Sequence, residues 1–377
     1  MRVGHVIESI RLRDGGPSSA LLALSASLIH NGCQCNIACR HHEQTEAVAC
    51  GTRIVLLPRR FLYTGSALKK FAAGVDILHL HGLWDSLPVA AGRYAAQHGI
   101  PYIMSLHGML LTKSMEHHPL RKHFFLALSR RELLSGAAAL HFTTQAELEQ
   151  ATPLLPIRPE RVVIPLTIES DLLDNPPDAN RWRQHFPELP DSWPRLLFLS
   201  RIHQVKNLPS LIAAIPALTA EFPGVHLLVA GGGNPGYVRK MRALAESSSA
   251  AKRIIFVGAV TGEAKAALIC SATIMTIPSF HENFGMAVAE GLACSIPVLV
   301  TPGLGIGAEI LACGAGFSCG EDAESISVSL ARALRNPEKL RATGEIGRRW
   351  ALKTLSPQTV SCRFKELYSH VILNRHT

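Results

Sequence analysis

The stretch RLLFLSRIHQVKNLPSLIAAIPALTAEFPGVHLLVAG, residues 195–231, decides the fold. The largely apolar run RLLFL over 195–199 indicates a strand, and a short basic loop follows it. Residues 208–222 then carry apolar side chains at helical spacing, and a second apolar run over 225–230 indicates another strand. Strands alternating with helices at these spacings predict a parallel, doubly wound sheet.

The same alternation continues on both sides of this stretch. It is interrupted over 173–194, a segment that is rich in Pro and Asp, lacks periodicity and therefore marks a linker. A chain of 377 residues also exceeds what one compact core usually serves. We predict an α/β protein with two Rossmann-like, doubly wound parallel-sheet domains, 1–172 and 195–356, that face a cleft. A C-terminal helix, 357–377, is expected to return to the first domain.

Composition limits the partners and the compartment. The net charge of +9 favours anionic partners, although a basic protein with no special partner also fits. Nucleic acid is not expected, because the basic residues are not arrayed with aromatic ones as in nucleic-acid-binding proteins. Nine scattered cysteines suggest a reducing cytosol. The first apolar stretch is too short for a signal peptide, and no run approaches the roughly 18 apolar residues that span a bilayer. We expect a cytoplasmic protein, soluble or bound peripherally to the membrane.

Two basic residues directly follow a predicted strand. Arg201 and Lys206 lie five positions apart in one short loop, where ligands of parallel sheets bind. A guanidinium and an ammonium group placed together suit a diphosphate. A solvated basic loop is the alternative interpretation.

A glycine-rich stretch, VAGGGNPG over 229–236, formally matches the dinucleotide-binding pattern G-x-G-x-x-G. Pro235 and Gly236 suit a turn better than the first turn of such a helix, and the acidic residue expected after the next strand is missing. We therefore expect no NAD or FAD. The glycines are predicted to permit a tight turn or to let the backbone pass close to a ligand.

Two glutamates interrupt the otherwise apolar stretch 278–302. Glu282 precedes a predicted helix, and Glu290 lies about one and a half turns inside it. A buried carboxylate is costly unless something pairs with it. The backbone N–H groups at the helix start would form an anion site. We expect the missing partner to be a bound ligand, and both carboxylates to be hydrated or loosely paired without it.

Histidines end two strands of the first domain. His79 and His81 lie on one strand face, and His107 ends the next strand. No carboxylate or Cys cluster accompanies them, so we expect no metal site. There is also no Asp-x-Asp pair of the kind that holds a diphosphate through a divalent metal. We therefore predict that no metal and no cofactor takes part.

In combination these motifs resemble the retaining glycosyltransferases of family 4, which have the GT-B fold. The resemblance runs from DGGPSSALLALSASL through ILHLHGLW, SLHGML and SRIHQVKNL to PSFHENFGMAVAEGLACSIPV. The last stretch holds the family motif of two glutamates separated by seven residues, as Glu282 and Glu290. The chain departs from the family pattern at Ser200, where Gly is usual, and at Leu166-Thr167, where Asn-Gly is usual.

The resemblance implies a role for each site residue. Glu282 would contact donor-sugar hydroxyls and Glu290 the ribose, while Arg201 and Lys206 would hold the diphosphate and stabilise it as it leaves. His107 would lie near the donor sugar, and Gly16 beside the phosphates or the acceptor. Catalysis is expected from Glu282, His107, Arg201 and Lys206. The loop and helix start would also bind the donor, through Asn283, Phe284, Gly285 and Met286.

The resemblance also implies the substrates. The sequence of the matching stretches is most like that of bacterial transferases that build O-antigen, lipopolysaccharide or exopolysaccharide. We therefore expect the donor to be a GDP- or UDP-linked hexose, mannose by preference. The acceptor would be a glycan or a polyprenyl-diphosphate-linked lipid. A nucleotide-sugar epimerase, a phosphorylase and a non-catalytic sugar-nucleotide binder are the alternatives.

A basic segment of the first domain, 113–131, suggests how a lipid acceptor could be reached. It interleaves basic residues with Leu and Phe, and such a segment can lie on the inner face of the cytoplasmic membrane. A solvated helix packed on its own domain fits equally well. The basic residues are Lys113, Arg121, Lys122, Arg130 and Arg131.

Overall fold

The computed structural model describes residues 1–11, 16–42, 51–58, 61–129, 133–155 and 158–374, without the side chains of 61–64, 128–129 and 170–171. The chain forms two compact units. One consists of Met1–Thr167 with Pro357–Thr377, and the other of Ile168–Ser356. Each unit contains a parallel sheet with helices between the strands, so the predicted pair of α/β domains is confirmed.

The first unit holds a seven-stranded parallel sheet with the order β5-β3-β1-β6-β7-β8-β9 and a two-stranded pair, β2-β4. These strands are β1 (Arg2–Ile7), β2 (Ser9–Ile10), β3 (Gln34–Cys39), β4 (His41–His42), β5 (Arg53–Leu56), β6 (Ile77–His81), β7 (Tyr102–Ser105), β8 (Ala139–Phe142) and β9 (Glu160–Val163). Its helices up to Thr167 are α1 (Gly16–His30), α2 (Phe61–Ala72), α3 (Ser86–Gln97), α4 (Thr112–Met115), α5 (Pro119–Ser129) and α6 (Gln145–Ala151), with a 3₁₀ turn at Thr152–Leu154.

The second unit holds a six-stranded parallel sheet with the order β12-β11-β10-β13-β14-β15. Its strands are β10 (Arg195–Leu199), β11 (His226–Ala230), β12 (Ile254–Gly258), β13 (Ile274–Ile277), β14 (Val298–Val300) and β15 (Gly316–Ser318). Its helices are α7 (Ser170–Asp174), α8 (Trp182–His185), α9 (Leu208–Glu221), α10 (Pro235–Glu246), α11 (Gly262–Cys270), α12 (Met286–Ala293), α13 (Gly307–Ala312), α14 (Ala323–Leu334) and α15 (Pro337–Leu355). Two 3₁₀ turns, Gln204–Lys206 and Ala251–Arg253, complete it.

The final helix, α16 (Pro357–Leu373), belongs to the first unit. There it packs against α1, and both helices cover the same sheet face, where Phe364 and Tyr368 join a core that includes Leu28 and Ile77. The opposite face packs against α2 and α3 in a second core. Alternate residues of the strands enter the two cores because strand side chains point to opposite faces in turn.

The segment 173–194, expected as a linker, is part of the second compact unit. Within it Trp182 is buried, and the guanidinium of Arg195 lies 3.8 Å from the centre of its ring. A tryptophan ring attracts a cation placed over its face. Through this contact the Pro- and Asp-rich segment packs onto the start of β10. None of the described helices combines the length and the apolar character that crossing a membrane requires.

Candidate active site

Three loops meet at the carboxyl edge of the second sheet, because β10, β13 and β14 are neighbours there. The loops are 200–207, 278–285 and 301–306, each directly after one of these strands. The backbone N–H of Phe280 donates to the Val205 carbonyl at 2.9 Å, and the N–H of Glu282 donates to the Gly303 carbonyl at 3.1 Å. The sheet order therefore brings the predicted basic loop and the predicted acidic loop into direct contact.

Lys206 and Glu282 form an ion pair at this junction. Lys206 ends the 3₁₀ turn Gln204–Lys206 and is 9% exposed, whereas Arg201 is exposed. Burial lowers the pKa of Lys206 to about 8, and the Arg201 guanidinium adds to that lowering. The Glu282 carboxylate acts in the opposite direction, because an opposite charge favours the ammonium form. A nearly buried cation beside an exposed one is suited to receive an anion.

The second glutamate also has a lysine partner. The ammonium of Lys265, in α11, lies 2.9 Å from a carboxylate oxygen of Glu290, in α12. Burial raises the pKa of Glu290, and Lys265 opposes that rise. Burial lowers the pKa of Lys265, but Glu290 outweighs it and the net shift is upward. The expectation of hydrated or loosely paired glutamates is therefore wrong, since each glutamate has its own lysine.

Glycines let these loops approach one another closely. A Cβ on Gly231 would lie 1.9 Å from the Ser200 carbonyl oxygen, and one on Gly233 would lie 2.2 Å from the Ile202 carbonyl oxygen. A Cβ on Gly305 would lie 1.7 Å from the Asn283 carbonyl oxygen. The VAGGGNPG stretch thus serves close backbone packing against the Arg201 loop, a use that the sequence did not predict.

The start of α12 carries the predicted anion-binding groups. Gly285 is the N-cap with φ of 100°, a conformation that favours glycine. A Cβ at this position would lie 2.7 Å from the side chain of Leu304, so the loop packs closely there. Within the described part of the chain, the backbone N–H groups of Phe284, Gly285 and Met286 donate no hydrogen bond. Free N–H groups at a helix N-terminus attract anions, and the helix dipole adds to the attraction.

Gly16 and His107 belong to the first unit, while the other predicted site residues belong to the second. Gly16 begins α1. His107 follows β7 with φ of 49°, which is unusual for a residue other than glycine. The next residue, Gly108, donates its N–H to the buried carboxylate of Glu147, and this bond anchors the His107 turn.

Three parts of the site were not predicted from the sequence: Lys265, Gly303 and Gly305. Lys265 stands in an Ala-rich helix, and a lysine in such apolar surroundings is a usable signal for a buried ion pair. The stretch TPGLGIG over 301–307 follows a predicted strand, which is the position where loops line a site. Both signals were present in the sequence, but the partners depend on the order of the strands.

Residues 15–167 match the family model described as "Glycosyl transferase 4-like domain", and residues 180–350 match "Glycosyl transferases group 1". The protein is a family 4-like glycosyltransferase. The glycosyltransferase is 27% identical over 318 residues to D-inositol 3-phosphate glycosyltransferase of Xylanimonas cellulosilytica. This match covers 76% of this chain and 75% of that protein.

One further relative and one solved structure are informative. The GDP-mannose-dependent alpha-(1-6)-phosphatidylinositol monomannoside mannosyltransferase of Mycolicibacterium smegmatis is 27% identical over 215 residues, and the match spans 55% of each protein. The solved structure of Anabaena HepE in complex with UDP-glucose superposes with a TM-score of 0.81 at 15% identity, covering 98% of this chain and 100% of that one. With such neighbours the predicted GT-B fold of the glycosyltransferase is confirmed.

Proposed function

We propose that this glycosyltransferase moves a hexose, with retention of configuration, from a nucleotide-diphosphate sugar to a glycan or a lipid-linked acceptor of cell-surface polysaccharide synthesis. The observation that carries the proposal is the Lys206–Glu282 ion pair, with the exposed Arg201 on the same loop as Lys206 and the free N–H groups of α12 following Glu282. Two cations and a helix N-terminus at one strand-end junction match the charge of a diphosphate.

The diphosphate would take the place of Glu282 as the counter-ion of Lys206. Released from the lysine, the Glu282 carboxylate can accept hydrogen bonds from the hydroxyls of the sugar. Arg201, Lys206 and the start of α12 then stabilise the negative charge that grows on the leaving phosphate, and preorganised electrostatic groups of this kind contribute most to such reactions. In this proposal the leaving phosphate accepts the acceptor's proton, and attack on the same face retains the configuration.

Glu290 would bind the ribose. Lys265 keeps this buried carboxylate ionised, and an ionised carboxylate accepts from two hydroxyls at once. The pair therefore provides a fixed double acceptor, while the lysine supplies no group to the ribose itself. Because the protein's own cations meet the diphosphate, the proposal includes no metal and no cofactor.

We propose a GDP-linked mannosyl donor, with a UDP-linked hexose as the alternative. The mannosyltransferase of Mycolicibacterium smegmatis is named for GDP-mannose, and HepE was solved with UDP-glucose. Thermal unfolding with GDP, UDP and their sugars separates the two, because a ligand at 100 times its Kd stabilises by about 2.7 kcal/mol. Only the matching base should raise the unfolding temperature, and no rise with either would contradict the nucleotide site.

Transfer itself is tested with Lys206→Ala and Glu282→Ala. Both should abolish transfer while the protein still unfolds cooperatively, and Lys240→Ala, an exposed lysine of α10, is the matched control. EDTA should leave the rate unchanged. Full activity in both site variants would refute the site, and isomerisation of the donor without any acceptor would indicate an epimerase instead.

A specific observation also favours contact with a membrane. In α5, Leu120 is 87% exposed and Phe124 is 67% exposed, four residues apart on one helix face. Arg121 between them is exposed, while the Lys122 ammonium lies 5.5 Å from the centre of the Trp84 ring. Arg130 and Arg131 lie outside the described residues. An apolar pair flanked by basic residues suits an anionic bilayer surface.

We propose that α5 contacts the inner face of the cytoplasmic membrane, where a lipid-linked acceptor would be found. Sedimentation with vesicles should pull down the protein when they contain anionic lipid, and less so at high salt. The variant Leu120→Ser/Phe124→Ser should lose most of this binding, whereas Leu373→Ser, which changes an exposed leucine of α16, should keep it. Equal binding by both variants would refute a role for α5.

A further inference from the structure

Five histidines cluster at and beyond the carboxyl half of the first sheet. Four of them are buried on the strands β1, β6 and β8, and the fifth, His107, is half-buried after β7. Burial lowers their pKa values, to about 3 for His5 and His107, so the rings are neutral at pH 7. A neutral imidazole has one N–H and one bare nitrogen. The cluster consists of His5, His79, His81, His107 and His141.

One hydrogen-bonded chain in the cluster has a fixed direction, and we call it the closed chain. His141 Nε2 lies 2.7 Å from the Ile164 carbonyl, which only accepts, so this nitrogen carries the hydrogen. His141 Nδ1 then accepts from Ser105 at 2.6 Å, and Ser105 accepts from His79 Nε2 at 2.6 Å. His79 Nδ1 accepts from the Tyr368 hydroxyl at 2.7 Å. Both nitrogens of His79 and of His141 are therefore used.

The other three histidines form what we call the open chain. His5 Nδ1 lies 3.1 Å from His81 Nε2, and His81 Nδ1 lies 3.0 Å from His107 Nε2. Within the described part of the protein, His5 Nε2 and His107 Nδ1 are buried and have no hydrogen-bond partner. The chain can therefore take two directions. In one, His107 offers an N–H from Nδ1, and in the other it offers a bare nitrogen.

The surroundings of the two ends distinguish these directions. His5 is 0% exposed, so its Nε2 is a closed end. His107 is half-buried and lines a small, partly open cavity of about 20 Å³, together with Pro17 of α1 and Thr167. A buried N–H that finds no acceptor bears its full desolvation penalty. The hydrogen is therefore favoured at His107, the half-buried end beside the cavity, and phosphate or hydroxyl oxygens are acceptors that a ligand would supply there.

We propose that His81 is a positioning residue that holds His107 as the Nδ1–H form, ready to donate to an oxygen of the bound substrate. In this arrangement His5 donates to His81, and His81 donates to His107 Nε2. The backbone of His107 supports the proposal, because a strained φ of 49° is maintained by the anchored turn that follows it. The inference rests on the proposed function only for the identity of the oxygen.

A metal ion is the competing explanation for the cluster. Ligand atoms of His5, His79 and His81 lie within 4.8 Å of one another. Coordination by His79 would require breaking its bond to Tyr368 or to Ser105 in the closed chain. The two contacts of 3.0 and 3.1 Å in the open chain are fully accounted for as N–H···N bonds.

The kinetic test compares two variants of His81. His81→Phe keeps a ring but removes the donor to His107, and kcat should fall about tenfold, the size of one net hydrogen bond. His81→Asn places an amide nitrogen at the position of Nδ1 and should restore most of the loss. Ser105→Ala opens the closed chain instead, so it should lower the unfolding temperature with kcat unchanged. Equal kcat loss in His81→Phe and His81→Asn would overturn the positioning role.

The second readout needs no substrate. Imidazole ¹⁵N spectra of the free protein at pH 7 should show His107 with a hydrogen on Nδ1 and a bare Nε2, and His81→Phe should abolish this preference. A bare His107 Nδ1 in the native protein, or one bound metal ion per chain by elemental analysis, would overturn the proposal. If no nucleotide sugar supported transfer, the proposed function would fail while the spectra still decided this inference.

Discussion

Replacing Lys265 by methionine tests the role of the second ion pair most sharply. The side chains of Lys265 and Glu290 are only 20% and 14% exposed, so the change leaves a buried carboxylate without its cation. Removing one partner of a buried pair costs about 3 kcal/mol. For a unit the size of Ile168–Ser356, each kcal/mol shifts the unfolding temperature by about 2–4 °C, so we expect a decrease of roughly 6–12 °C.

The loss should depend on pH in a defined direction. Burial raises the pKa of Glu290, and without Lys265 nothing opposes that rise. A group with a raised pKa in the folded state favours folding below its unfolded pKa of about 4.3 and loses that contribution as pH rises. Lys265→Met should therefore be nearly as stable as the parent near pH 4 and show the full loss at pH 7.

The assay is thermal unfolding of the parent and three variants across this pH range. Lys252→Met removes an exposed lysine of the same unit and should change little. Lys265→Met/Glu290→Gln removes both charges and should recover most of the stability, because the uncompensated carboxylate is gone. A loss in Lys265→Met that is the same at pH 4 and pH 7, or that the double variant does not recover, would refute the reasoning.

Three further predictions follow from the described contacts. Because the pKa of Lys206 is about 8, the affinity for UDP or GDP, measured by titration calorimetry, should weaken as pH rises through 8. Lys206→Arg should remove this pH dependence. An affinity of the parent protein that does not change with pH would contradict the prediction. Gly231→Ala would place a Cβ 1.9 Å from the Ser200 carbonyl oxygen and should abolish transfer. Gly232→Ala, whose added Cβ would lie 3.8 Å from its nearest neighbour, should keep transfer. Equal activities of the two variants would show that the loops can move to accommodate the added Cβ. Tyr368→Phe leaves His79 Nδ1 without a donor and should lower the unfolding free energy by about 1–3 kcal/mol, measured in urea, while an unchanged value would disprove the closed chain.

Local patterns in the sequence were enough to predict the repeating architecture. The runs around β10, α9 and β11 are apolar at strand and helical periods, and the structure places each element within a few residues of its prediction. The strand β5 was not predicted, because Arg53–Leu56 is short and only partly buried, so little periodicity marks it. Prediction thus succeeded where burial imposes a period and failed where it does not.

The chemistry at the strand ends was only half predictable. Glu282 and Glu290 stand out in the sequence because they interrupt an apolar stretch. Their lysine partners come from elements distant in the chain, and the contacts exist only because β10 lies beside β13 and α11 packs near α12. A pairing that depends on strand order cannot be inferred from local periodicity.

The C-terminal helix has a consequence for how the chain is made. The chain leaves the first unit after Thr167 and re-enters it only at Pro357. During synthesis, Ile168–Ser356 leaves the ribosome before Phe364 and Tyr368, which are core residues of the first unit. The first unit therefore keeps the face of its sheet that α16 covers exposed until α16 has emerged as well. A stop codon shortly before Pro357 would release a chain in which the second unit is nearly complete and the first unit lacks α16.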